Sequence, residues 1–113
     1  MFEEFEQFQY EHSRWLDRNF PNQLHNPHEP LLGLVEEVGE LSHAHLKLAQ
    51  GIRGTRDELI AQKEDAVGDI FIYLISYCCA NELSLRNCIE DTWHRVQARD
   101  WVANPQDGIT SEH

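Results

Sequence analysis

The sequence predicts an all-α protein, an antiparallel four-helix bundle built from one domain. Apolar side chains recur at three- and four-residue steps, and no segment shows the apolar–polar alternation of a strand. Segments rich in proline and glycine divide the chain into four helical stretches joined by short connections. The 113 residues suffice for one core. We expect the helical domain to span residues 1–102 and the polar tail, residues 103–113, to be disordered.

The first helix is predicted over residues 2–20, where apolar residues return to one face of the helix. These residues are Phe2, Phe5, Phe8, Leu16 and Phe20. The segment "FPNQLHNPHEP" follows, and its prolines at positions 21, 27 and 30 end the first helix and precede the second.

The second helix carries an apolar stripe from Leu31 to Leu48, and it is expected to end at a loop bracketed by Gly51 and Gly54. His45 falls on this stripe. A histidine on an apolar stripe is typical of a hydrogen-bonded core residue, and His45 is predicted to be one.

The third helix is predicted from an N-cap at Asp57 to about Ala80, and the fourth from an N-cap at Ser84 to about residue 101. From Ile70 to Ala80 the third helix is apolar on almost every face. Such a helix must be covered on all sides. A homodimer or homotetramer is therefore expected.

Composition excludes several classes of protein. A net charge of −11 argues against a nucleic-acid partner, because binding to the phosphate backbone relies on Lys and Arg. The acidic, amphipathic start "MFEEFEQFQYEH" is unlike a signal or transit peptide, and the longest apolar stretch, residues 66–80, is too short to span a bilayer. The three cysteines suggest free thiols in a reducing compartment. We predict a cytoplasmic protein with no membrane partner.

Carboxylates beside apolar runs are the main functional signal. In "LVEEVGELSHAHLK", Glu37 lies at the edge of the apolar stripe, and Glu40, its neighbour one helical turn on, lies about 60° beyond it. In "KEDAVGDIFIYLISYCCA", Asp65 and Asp69 are likewise one turn apart. Two such pairs on consecutive antiparallel helices can face each other. Four converging carboxylates repel unless a hard divalent cation is present, which predicts a site for Mg²⁺, or Mn²⁺ in its place.

A glycine precedes an acid at Gly39 and again at Gly68, each at some cost to the helix. This arrangement favours close helix approach or room for a ligand. The alternative, that all these acids lie on ordinary solvated helix faces, stays open.

"LVEEVGEL", followed at hairpin distance by "DAVGDIFIYL", resembles the MazG-like all-α nucleoside triphosphate pyrophosphohydrolases. Their pattern is Glu-x-x-Glu on one helix and Glu-x-x-Asp on the next. The first motif matches at Glu37 and Glu40. In the second, Asp69 matches, whereas Ala66 stands where the family has Glu, and Asp65 is the nearest substitute. "WHRVQARDW" is similar to the end of short members, so the resemblance covers residues 30–101.

The resemblance implies Mg²⁺-dependent cleavage of a nucleoside triphosphate to the monophosphate and pyrophosphate, and a purpose in housecleaning of the nucleotide pool. It implies that Glu37 or Glu36 accepts the proton of the attacking water. Lys47, Arg53 and Lys63 flank the hairpin loop and are the expected phosphate-binding cations. Two alternatives are a catalytically weak nucleotide- and metal-binding regulator, which Ala66 favours, and a structural helical partner protein.

Overall fold

The computed structural model describes residues 1–109 and is all-helical over that range, which confirms the all-α part of the predicted fold. Five helices follow one another along the described part of the chain. They are α1 (Glu3–Asn19), α2 (Pro21–His25), α3 (His28–Gln50), α4 (Arg56–Ala80) and α5 (Leu85–Gln97). The helix without a counterpart in the predicted four is α2. Pro21 begins it because proline has the backbone angle of a first helical residue and needs no donor there.

The predicted cap residues agree with the structure at the start of α5 and the end of α3, and differ at the start of α4. The N-cap of α4 is Thr55 and not Asp57, because the Thr55 hydroxyl accepts from the Glu58 N–H while Asp57 already lies inside the first turn. Ser84 caps α5 as predicted, accepting from the Asn87 N–H. Gly51 ends α3 in the left-handed conformation, at φ 71°, which confirms the predicted stop.

The end of α5 comes at Gln97, about four residues earlier than predicted. The Asp100 carboxylate accepts from the backbone N–H groups of Val102 and Ala103, and such local bonds compete with helix continuation. Turns follow, and the Asp100 N–H donates to the Gly108 carbonyl. Of the tail predicted to be disordered, residues 110–113 lie outside the described residues.

The dominant packing unit is the α3–α4 hairpin, whose two antiparallel helices are joined by the loop 51–55 and contact each other along their length. The close approach predicted at Gly39 and Gly68 is wrong, because a Cβ at either position would meet nothing within 4 Å. The close approach occurs at Gly33 instead. A Cβ there would lie 2.3 Å from the Tyr73 ring.

A small core joins α4 to α1 and α5. Ile75, Cys78 and Leu85 are buried at its centre, and Phe5 and Phe71 pack against it with ring centroids 5.7 Å apart.

The buried histidine of the described chain segment is His12 on α1, and the prediction for His45 is wrong because His45 is exposed on the side of α3 that no helix covers. His12 Nε2 lies 2.7 Å from Ser76 Oγ. The Ser76 hydroxyl in turn donates to the Ile72 carbonyl. Burial lowers the pKa of His12 below its usual 6.5, which favours the neutral imidazole at pH 7.

No single helix among residues 1–109 is long and apolar enough to cross a membrane; α4 and α5 meet that length and composition only when combined across a bend of 111°.

Candidate functional site

An acidic cleft lies along one side of the α3–α4 hairpin. It encloses about 290 Å³. The residues that line it are Glu36, Glu37, Glu40, Gln62, Asp65, Ala66 and Asp69. Five of these seven side chains are carboxylates, contributed by two helices whose acidic segments lie at the same level because the hairpin is antiparallel. The two acidic pairs predicted to face each other therefore border one cavity.

Helix geometry explains why these acids share a side. Successive residues turn by about 100°, so residues four apart lie about 40° apart on one face. Glu36 and Glu40 obey this spacing on α3, and Asp65 and Asp69 obey it on α4. Glu37 differs from the other four, because it points between the helices and is half-buried while the others are exposed.

Four other carboxylates surround Glu37 and affect its pKa. Burial raises the pKa of the Glu37 carboxyl above its usual 4.5. The neighbouring negative charges raise it further, in the order Asp69, Glu36, Glu40 and Asp65. All four therefore lie close enough to act on Glu37 electrostatically, and each disfavours its ionised form.

No cation among residues 1–109 pairs with this cluster. Within residues 1–109, no Lys, Arg or His nitrogen comes within 4.0 Å of any of the five carboxylates. The ion pairs recorded in that range lie elsewhere and involve Arg86 or the N-terminus. The cleft is thus a site of unneutralised negative charge.

The chemistry of the donors suits a hard divalent cation, since carboxylates and the Gln62 amide oxygen are the ligands that Mg²⁺ and Mn²⁺ prefer. The donors are not gathered at ligand distance, however. In the described range, no three His, Cys, Asp or Glu side chains form a ready coordination group. Like charges make it unfavourable for these carboxylates to converge without a cation. Ligation would require side-chain rotation toward a common point.

The three predicted phosphate-binding cations do not line the cleft. Lys47 is half-buried on α3, and its Nζ donates to Gln50 Oε1 at 3.1 Å. Seven residues separate Lys47 from Glu40, so it lies on nearly the same side of α3, about 10 Å further along the axis. Lys63 lies about 160° around α4 from Asp65. Arg53 belongs to the hairpin loop, in the left-handed conformation.

The sequence prediction missed Gln62, which also borders the cleft. Its spacing was the available signal, because Gln62, Asp65 and Asp69 stand three and then four residues apart, as residues on one helical face do. Ala66 lies at the floor of the cleft, 3% exposed. Its methyl group supplies no oxygen donor to the cleft.

No family model, no curated protein and no solved structure matches this chain.

Proposed function

We propose that the chain is a Mg²⁺-dependent nucleoside triphosphate pyrophosphohydrolase of the MazG-like type, converting a nucleoside triphosphate and water to the monophosphate and pyrophosphate. One observation carries the proposal: five carboxylates from two packed helices border a single cleft, and no Lys, Arg or His of the described residues pairs with them. An acidic cleft repels a triphosphate by itself, so a bound divalent cation is needed for the two to meet.

In this proposal Glu37, Glu40, Asp65 and Asp69 hold the ion, with Gln62 as a further oxygen donor. The ion supplies positive charge that offsets the charge of the triphosphate oxygens. Glu37, or the exposed Glu36 beside it, accepts the proton of the water that attacks the α–β phosphoanhydride. Either carboxylate could act as the base only while its oxygens are not engaged by the ion.

Of the three candidate cations, Lys47 is best placed to bind the pyrophosphate leaving group. It shares the side of α3 that carries Glu36 and Glu40, and its flexible stem bridges part of the remaining distance. Binding of phosphate there requires release of its hydrogen bond with Gln50. Housecleaning of the nucleotide pool in the cytoplasm is the role proposed with this activity.

The test is a panel of ribo- and deoxyribonucleoside triphosphates incubated with the purified full chain and MgCl₂, with products identified by phosphorus NMR. Release of monophosphate and pyrophosphate supports the proposal. Asp69→Asn should lower turnover by about a hundredfold or more, because it removes a carboxylate from the ion site. Asp91→Asn, the same change at an exposed position on α5, is the matched control and should keep wild-type turnover.

A second candidate is a regulator that binds nucleotide and metal without turnover. The buried Ala66 favours it, since one carboxylate of the family pattern is missing from the cleft. A shift of the melting temperature by nucleotide with Mg²⁺, in the absence of any product, would favour the regulator. Neither product nor shift would favour a structural helical protein and would contradict the pyrophosphohydrolase.

A further inference from the structure

Helices α4 and α5 meet at a corner that is held by a side chain from α1. The two helices are joined by residues 81–84, and the chain bends there by 111°. Gln9 Nε2 donates to the Leu83 carbonyl at 2.7 Å, and the Leu85 N–H donates to Gln9 Oε1 at 2.8 Å. One amide side chain therefore fixes the backbone on both sides of Ser84.

The three cysteines of the chain lie near this corner, all as free thiols. Cys78 is buried near the end of α4, and Cys88 is exposed at the end of the first turn of α5. Both line one groove of about 510 Å³ in the angle between the two helices. Cys79 is half-buried, and its thiol donates instead to the Gln9 carbonyl on α1, at 3.8 Å. Two of the three thiols therefore share a groove.

Helix geometry makes Cys78 and Cys88 a facing pair at the narrow end of this groove. On α5 the lining residues recur at steps of three and four from Leu85 to Val96, so Cys88 faces α4 one turn beyond Leu85. Leu85 in turn packs in the same buried cluster as Cys78. Because the two helices diverge from the corner, the lining residues nearest to it are the closest across the groove.

The two thiols are close enough to interact electrostatically. Burial raises the pKa of the Cys78 thiol above its usual 9.0, and a negative charge on Cys88 raises it further. Cys78 is therefore protonated at pH 7, and of the two cysteines Cys88 is the one that is open to an oxidant in solution. An accessible thiol next to a shielded second thiol is typical of an attacking and a resolving cysteine.

We propose that Cys78 and Cys88 are a redox-active pair that hydrogen peroxide converts to an intrachain disulfide across the α4–α5 corner. The Cys88 sulfur attacks one peroxide oxygen, and cleavage of the O–O bond leaves a sulfenic acid on Cys88 and releases one water. The Cys78 sulfur then attacks the Cys88 sulfur, and the sulfenic hydroxyl leaves with the Cys78 proton as a second water. Two electrons pass from the two thiols to the peroxide.

The disulfide would tie the first turn of α5 to α4 and close the narrow end of the groove. It joins the ends of the segment 78–88 and so restricts the unfolded chain. The thermal unfolding midpoint of the oxidised chain should therefore exceed that of the reduced chain by about 5 °C or more. Neither cysteine borders the acidic cleft, so the proposal does not depend on the proposed hydrolase activity.

The test is oxidation of the folded full chain with hydrogen peroxide at pH 7.5, followed by alkylation of the remaining thiols and mass spectrometry. A protein concentration of about 1 μM disfavours disulfides between chains. One alkylated thiol is expected after oxidation, and dithiothreitol should restore three. Trypsin cleaves at Arg86, between Cys88 and the other two cysteines, so the disulfide appears as the linked peptides 64–86 and 87–95.

Cys79→Ser is the matched control for Cys78→Ser. Cys79→Ser keeps the proposed pair and should form the intrachain disulfide at the wild-type rate. Cys78→Ser keeps Cys79, whose thiol is directed to α1, and should form a disulfide at least about tenfold more slowly. Unfolded chains of the two variants would react alike, because their loops to Cys88 differ by one residue and closure depends only weakly on length.

Equal rates in the two serine variants overturn the assignment of the pair. Oxidation that yields only disulfides between chains, or only sulfinic acid on Cys88, overturns it as well. A midpoint of the oxidised chain below that of the reduced chain would show that the bond forms only by distorting the corner, and would contradict a native redox pair. If Cys78→Ser is unfolded, Cys79→Ser decides the proposal, since an intrachain disulfide in that variant can join only Cys78 and Cys88.

Discussion

Glu37 is the residue at which burial and like charge act together. Because the pKa of its carboxyl is raised in the folded protein, the unfolded state loses this proton first as the pH rises above 4.5. The contribution of Glu37 to the free energy of unfolding is therefore fully present below pH 4.5. It is lost as the pH rises through the folded-state pKa.

Glu37→Gln should abolish the fall in the free energy of unfolding that Glu37 causes as the pH rises. The difference in the free energy of unfolding between variant and wild type, measured by urea denaturation at pH 4 to 8, should grow in favour of the variant as the pH rises. Glu4→Gln, an exposed change on α1, is the control and should keep the wild-type decline caused by Glu37. A difference curve for Glu37→Gln that is flat with pH contradicts the raised pKa.

Breaking the His12–Ser76 hydrogen bond should lower the free energy of unfolding. Ser76→Ala removes the partner of the His12 ring nitrogen while leaving the imidazole 8% exposed. An unpaired buried donor costs about 1–3 kcal/mol, and the free energy of unfolding at pH 7.5 should fall by about that amount.

Ser42→Ala is the matched control for this change. Ser42 also donates its hydroxyl to the carbonyl four residues before it, but it is exposed on α3 and has no histidine partner. Its replacement should alter the free energy of unfolding by no more than about 0.5 kcal/mol. Equal effects of the two serine variants would show that the buried pair contributes nothing of its own.

The role of a single residue can be predicted from the sequence when its partners lie nearby along the chain. The acids of the cleft were found because their partners recur at helical spacing on two adjacent helices. His12 was not found as a core residue, because its partner Ser76 lies 64 residues away on another helix. The prediction that His45 is a core residue is wrong because other helices of the chain cover only part of the apolar stripe on α3.

At the scale of the helices, the close contact between α3 and α4 is concentrated at Gly33. Gly33→Ala places a methyl group against the Tyr73 ring, which must move. Overpacking of this kind costs about 1–3 kcal/mol, whereas alanine in place of helical glycine gains about 1 kcal/mol. We expect a net loss of about 1 kcal/mol in the free energy of unfolding, measured by chemical denaturation.

Gly39→Ala on the same helix is the control. Its Cβ meets nothing within 4 Å, so only the helical gain remains, and the variant should be about 1 kcal/mol more stable than wild type. A stabilising Gly33→Ala would show that the Tyr73 ring moves aside at no cost.

Helix positions were largely readable from local chemistry, and helix ends less so. Ser84 and Gly51 act at the predicted ends because a side-chain oxygen and a left-handed glycine complete the hydrogen bonds of a helix end. Thr55 and Asp57 are both good cap residues two positions apart, and only the path of loop 51–55 selects Thr55. The short helix α2 was hidden by three prolines that resemble a loop signal.

At the scale of the whole molecule, the described residues form the α3–α4 hairpin with three further helices packed on it, and few side chains are buried. Seven apolar residues are buried, in a chain whose composition is 41% hydrophobic. The homodimer or homotetramer expected from the sequence would cover part of the exposed apolar surface. The acidic cleft of the chain is open to solvent, as the proposed exchange of nucleotide and pyrophosphate requires.

The sequence by itself determined the helical class and the grouping of the carboxylates, because both follow from spacing of three and four residues along one helix. Only the tertiary structure decided which side of each apolar stripe is covered and where Gly33 meets Tyr73. These depend on the rotation of one helix against another, which is set by the sum of many weak contacts and not by any local signal.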